Sequence, residues 1–103
     1  MVNNINSDNF NNDISNGLSI VDFFAEWCGP CKMLGPVFEE LSNEMKDSVK
    51  FYKLDVDQSI DKAYEYKVST VPSMIIFKDG KMIEKLVGFM PKDQIKEKLE
   101  KHL

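Results

Sequence analysis

What the chain has little of narrows its function first. It carries one histidine and two cysteines in 103 residues. A structural zinc site takes four ligands, usually two cysteine pairs or one pair with histidines, so a single pair with His102 at the C-terminal end makes half a site. A dimer sharing four thiolates would complete it, and that reading stays open at this point. Long apolar runs are missing as well: stretches such as MIIF at 74–77 fall far short of the roughly 20 residues of a membrane span. The opening MVNNINSDNF lacks the charged-then-apolar order of a signal peptide, so the expected place is the cytosol. Nor is positive charge in excess. Thirteen basic against seventeen acidic residues give a net charge of −4, which offers no footprint for nucleic acid or an anionic membrane. No repeat, linker or low-complexity tract appears, and an apolar share of 43% suits one domain with a core over residues 1–103.

Periodicity lays out the elements. A short first strand is expected at 2–5. Ser7-Asp8 before Asn9-Phe10 reads as a helix start and Asn16-Gly17 as its stop, with Phe10 and Ile14 on one face. LSIVDFFA at 18–25 is branched, aromatic and apolar on both faces except at Asp22, the pattern of a central strand. Met33, Leu34, Val37, Phe38, Leu41 and Met45 recur at helical spacing from Cys31 onward, and Pro36 inside that helix is expected to kink it. VKFYKLDVD at 49–57 alternates as a strand, and Ile60, Ala63 and Tyr64 form one helical face between Ser59 and Tyr66. SMIIFKDGKMIEKLVG at 73–88 is a hairpin turning at Asp79-Gly80, the preferred dipeptide of a two-residue type I′ turn. Pro91 suits a first helical turn, and Ile95, Leu99 and Leu103 make the apolar stripe of a closing helix. The fold class is therefore α/β: a central mixed β-sheet in the order βαβαβαββα, flanked by helices on both faces.

Both cysteines lie in WCGPCK at 27–32, where a strand ends and a helix begins. Free N–H groups and the positive end of the helix dipole point at Cys28, which lowers a thiol below its free value of about 8.5 and enriches the nucleophilic thiolate. Cys31 is one turn further on the same face, within bridging reach and expected to be the more buried of the two. As a structural clip the pair would do little: closing so short a loop constrains the unfolded chain by about 2 kcal/mol, against about 3 for a fifteen-residue loop. In a reducing compartment a close pair is redox-active or metal-binding.

VDFFAEWCGPCK, Pro36, the KLDVDQ run at 53–58, Val71-Pro72 and the FKDGK hairpin together resemble the thioredoxin family over essentially the whole chain. Gly29-Pro30 between the cysteines resembles thioredoxins and not glutaredoxins, with Pro-Tyr, or protein disulfide isomerases, with Gly-His. The resemblance implies the thioredoxin fold and a dithiol–disulfide oxidoreductase that reduces protein disulfides and is re-reduced by a thioredoxin reductase. It implies no bound cofactor beyond the redox-active Cys28–Cys31 disulfide, and a monomer with disulfide-containing protein substrates as partners. By the same resemblance Cys28 attacks and Cys31 resolves. Asp22 matches a buried carboxylate that takes and returns the Cys31 proton; its interruption of Ile20, Val21, Phe23 and Phe24 supports burial independently. Lys53 matches a lysine near that carboxylate. Pro72 matches a cis-proline facing the disulfide, with the Val71 backbone free to pair with an extended substrate segment. Gly88 matches a glycine beside the substrate groove, and Trp27 an apolar docking surface next to the cysteines. Gly29 and Pro30 set the loop and its redox poise. Phe24 departs from the second tryptophan many members carry, and Ser73 from the usual threonine. A binding subunit with incidental cysteines and a zinc-linked dimer are the competing readings.

Overall fold

The structure is a computed structural model that describes residues 1–103. Its elements in chain order are β1 (Val2–Asn4), α1 (Phe10–Asp13), β2 (Leu18–Phe24), α2 (Gly29–Glu44), β3 (Lys50–Asp55), α3 (Ile60–Glu65), β4 (Ser73–Lys78), β5 (Lys81–Val87) and α4 (Lys92–Glu100). The five strands form one sheet in the order β1-β3-β2-β4-β5. β1, β3 and β2 run parallel, joined by the crossovers through α1 and α2, while β4 is antiparallel to both β2 and β5. A two-residue turn closes the β4–β5 hairpin, with Asp79 and Gly80 both at positive φ (49° and 86°), as a type I′ turn demands.

Alternation along β2 sends side chains into two separate cores. Leu18 and Ile20 join Leu34, Phe38 and Leu41 of α2 and Ile95 and Leu99 of α4. Val21 and Phe23 join Phe10, Ile14, Ile75 and Phe77 on the other face, where the rings of Phe10 and Tyr66 meet Phe77 edge-on at 5.5 and 5.2 Å. Sheet burial on both sides is also why β3 shows no simple in-and-out alternation: Phe51 and Tyr52 are both buried, one in each core. Lys92 Nζ, 2.9 Å from Glu40 and 2.5 Å from Glu44, ties the start of α4 to α2.

Several expectations shift. The first helix is a single turn. α2 begins two residues earlier than its apolar pattern, at Gly29, and ends at Glu44 with Pro36 inside it. Pro91 is the residue before α4, extended at φ −63° and ψ 155°, and not its first turn. On α3, Ile60 and Tyr64 are exposed; the inward positions are Ala63 and Lys62, whose ammonium pairs with Glu65 at 3.0 Å and sits over the Phe10 ring. The stem of a lysine covers apolar surface well, so apolar spacing alone does not identify the inward face of this helix. Leu103 lies beyond the end of α4 and is exposed. His102, near the C-terminal end, is held to β5, its Nε2 meeting Glu84 Oε1 at 3.2 Å.

Candidate active site

The central strand β2 ends at Phe24, and four residues separate it from the start of α2 at Gly29. Between them the Cys28 N–H donates to Ala25 O at 3.2 Å. Cys28 is the residue that caps α2: its backbone is extended (φ −88°, ψ 115°) and its Sγ accepts the Cys31 N–H at 3.2 Å. That bond and the dipole of a 16-residue helix both favour negative charge on the Cys28 sulfur. Pro30 falls in the first turn, where a missing N–H leaves nothing unpaired. Cys28 and Cys31 form a disulfide with Cα atoms 5.3 Å apart.

Exposure does not separate the two cysteines as expected. Cys28 is 3% and Cys31 6% exposed, so neither is open in the oxidised form. The cover over Cys28 comes from across the sheet, since Val71 O lies 3.6 Å from its Sγ and the Val71 side chain packs on the cysteine cluster.

That cover belongs to a loop fixed from several sides. Val71-Pro72 is a cis peptide bond. Pro72 O accepts the Gly88 N–H at 2.8 Å, and Ser73 Oγ donates to Thr70 O at 2.6 Å. Gly88 sits at φ +89° with nothing near its absent Cβ, so what requires glycine here is backbone conformation and not a crowding neighbour. The Val71 N–H makes no backbone hydrogen bond, which leaves it free for an added strand. Trp27 is 71% exposed and anchored at one point, its Nε1 donating to Asp57 Oδ2 at 2.9 Å.

Behind the disulfide, Asp22 and Lys53 are register partners on β2 and β3. Asp22 is 5% exposed, and its Oδ1 is buried with no hydrogen-bond partner. Burial pushes its carboxyl up to about 7, against the opposing pull of the Lys53 charge. A cleft of about 200 Å³ connects Asp22 with Cys31 and is lined also by Phe24, Glu26, Lys32 and Lys53. The Asp22 carboxyl and the Cys31 sulfur thus open onto one shared space.

The structure thus gathers Asp22, Trp27, Cys28, Gly29, Pro30, Cys31, Lys53, Val71, Pro72 and Gly88 around one end of the sheet. Sequence reasoning assigned no role to Asp57, Glu26 or Lys32. Asp57 stood within the KLDVDQ run, but nothing in spacing links it to Trp27. Glu26 and Lys32 flank the cysteines and showed no sign of sharing a cleft with Asp22. His, Cys, Asp and Glu side chains nowhere converge three together as metal ligands, and no helix is long and apolar enough to cross a membrane.

Comparison with known proteins gives a consistent likeness. The family model described as Thioredoxin matches residues 1–101. The thioredoxin of Staphylococcus saprophyticus is 44% identical over 99 residues, covering 96% of this chain and 95% of that one. The thioredoxin of Staphylococcus aureus is 46% identical over 94 residues, or 91% and 90% of the two chains. Among solved structures, the thioredoxin of Malassezia sympodialis superposes with a TM-score of 0.90 at 36% identity, covering 98% of this chain and 92% of that one.

Proposed function

The chain belongs to the thioredoxin family and reduces protein disulfides through Cys28 and Cys31, and from that premise we propose how each residue of the site takes part. The reduced protein begins with Cys28 as thiolate, stabilised by the Cys31 N–H and the start of α2. Its Sγ attacks one sulfur of a substrate disulfide; the substrate S–S bond breaks, and the other substrate sulfur leaves as a thiolate and takes a proton. A mixed disulfide now joins Cys28 to the substrate. Asp22 takes the proton of Cys31 through the cleft, and the Cys31 thiolate attacks Cys28 Sγ. The mixed disulfide breaks, the second substrate sulfur leaves and is protonated, and the Cys28–Cys31 disulfide remains. Two electrons have passed to the substrate.

An extended substrate segment binds beside Cys28 by pairing with the free backbone of Val71, ahead of Pro72, while Trp27 and the open backbone at Gly88 flank the groove. Lys53 stabilises the ionised form of Asp22, and Gly29-Pro30 hold the separation and poise of the sulfurs. Residues 1–103 act as a single domain and as a monomer in the cytoplasm, with a thioredoxin reductase supplying electrons and no bound cofactor, since the sulfurs carry both electrons themselves.

The observation that carries the division of roles is the Cys28 Sγ accepting the Cys31 N–H at the head of α2. The test is insulin disulfide reduction driven by a thioredoxin reductase. Turnover is lost in both Cys28→Ser and Cys31→Ser, and a trapped mixed disulfide accumulates only with Cys31→Ser. Turnover surviving in Cys28→Ser overturns the assignment.

A further inference from the structure

Asp22 and Lys53 stand side by side in the β2–β3 register, on the sheet face that α2 covers, yet they do not pair. Asp22 Oδ1 has no partner. The Lys53 ammonium instead stands over the Phe24 ring, 5.8 Å from its centroid. Phe24 follows Asp22 by two residues on the same strand, so its side chain leaves the sheet on the same face, and all three residues line the cleft that ends at Cys31. Phe24 also packs on the Ala25, Cys28 and Cys31 cluster, which holds the ring in place.

We propose that Phe24 is a positioning residue: the face of its ring holds the Lys53 ammonium in the cleft but off the Asp22 carboxyl, withholding from the buried acid the counter-ion that the strand register would otherwise give it. A cation is attracted to the ring face by the quadrupole at this distance. The other charged groups that face Asp22 are Glu26, from the loop after β2, and Lys32, from α2; both are exposed and screened by water. Its partner on β4 is the apolar Met74. Lys53 is the half-buried charge among them, and where it rests decides how the acid ionises. The proposal deepens the reading of Asp22 as proton carrier and rests on that reading for its functional meaning, so the test reads the carboxyl itself and not turnover.

The Asp22 carboxyl carbon is followed by NMR against pH in the oxidised full-length protein, its resonance identified by its loss in Asp22→Asn. Phe24→Leu removes the ring face and keeps an apolar side chain; Phe24→Met does the same if the leucine variant folds poorly. Either lowers the titration midpoint by about half a pH unit, the size set by a partly exposed cation–π contact. Phe24→Tyr, which keeps the ring, leaves the midpoint in place. In the Lys53→Met background the loss of the ring no longer lowers it. A midpoint that stays or rises on losing the ring overturns the proposal, as does an equal fall in the Lys53→Met background or a fall in Phe24→Tyr. None of these results bears on whether Asp22 accepts the Cys31 proton, which the pH dependence of resolution in Asp22→Ala reports separately.

Discussion

Replacing Asp22 by asparagine should make the protein more stable relative to wild type as pH rises. In the unfolded chain the carboxyl titrates near 3.8, and in the fold burial raises it to about 7. Below about pH 4 both states hold the proton, and the protonated acid and the amide differ little in shape. Between about pH 4 and 7 the unfolded chain releases its proton and the folded one does not, so wild-type stability falls as pH rises through this window. Above about pH 7 both states are ionised and the slope vanishes. Each pH unit is worth about 1.36 kcal/mol, so the gap of roughly three units costs the wild type about 4 kcal/mol. A domain of this size has only about 5–15 kcal/mol in total, so the effect is large. Urea unfolding followed by far-UV circular dichroism, on the oxidised form at pH 4 and pH 8, measures it without thiol titration; Trp27 is too exposed to report the core. A wild-type deficit that does not grow by at least about 2 kcal/mol between the two conditions would refute the desolvation argument.

Two glycines should respond in opposite directions. Gly88→Ala places a Cβ at φ +89° and should cost about 1–2 kcal/mol, while Gly35→Ala in α2 meets nothing within 4 Å and should add up to about 1 kcal/mol; thermal unfolding of the pair checks both. Leu99 is 0% exposed in the core that joins α4 to α2, so Leu99→Ala should lose about 2–5 kcal/mol in chemical denaturation. Pro30→His, at an exposed position, should move the reduction potential by about 30 mV or more, about 1.4 kcal/mol for two electrons, with less change in unfolding midpoint. An unaltered potential in glutathione redox buffers would remove the loop from the account of redox poise.

Local patterns spoke for most of the fold. β2 was visible because Ile20, Val21, Phe23 and Phe24 exceed what one covered face can use, and the hairpin because Asp79-Gly80 accepts positive φ in both residues. Spacing points to the wrong inner face of α3 because Ile60 and Tyr64 are apolar, whereas Lys62 is the side chain that turns inward to Glu65 and Phe10. A hydrophobic count cannot anticipate a charge that finds a partner. Nor could it anticipate that Cys28 would be as covered as Cys31, since the covering carbonyl comes from Val71, forty-three positions away.

WCGPCK at the end of an apolar strand and the start of an amphipathic helix determined, by sequence alone, the chemistry: two sulfurs one helical turn apart, the first at the positive end of a dipole. Tertiary structure alone decided the environment in which they react. It set Asp22 without a partner behind Cys31, Lys53 over Phe24, Val71 across from Cys28 and Asp57 beneath Trp27. These relations join residues of different strands and loops through burial and distance, and neither quantity exists until the sheet has brought those segments together.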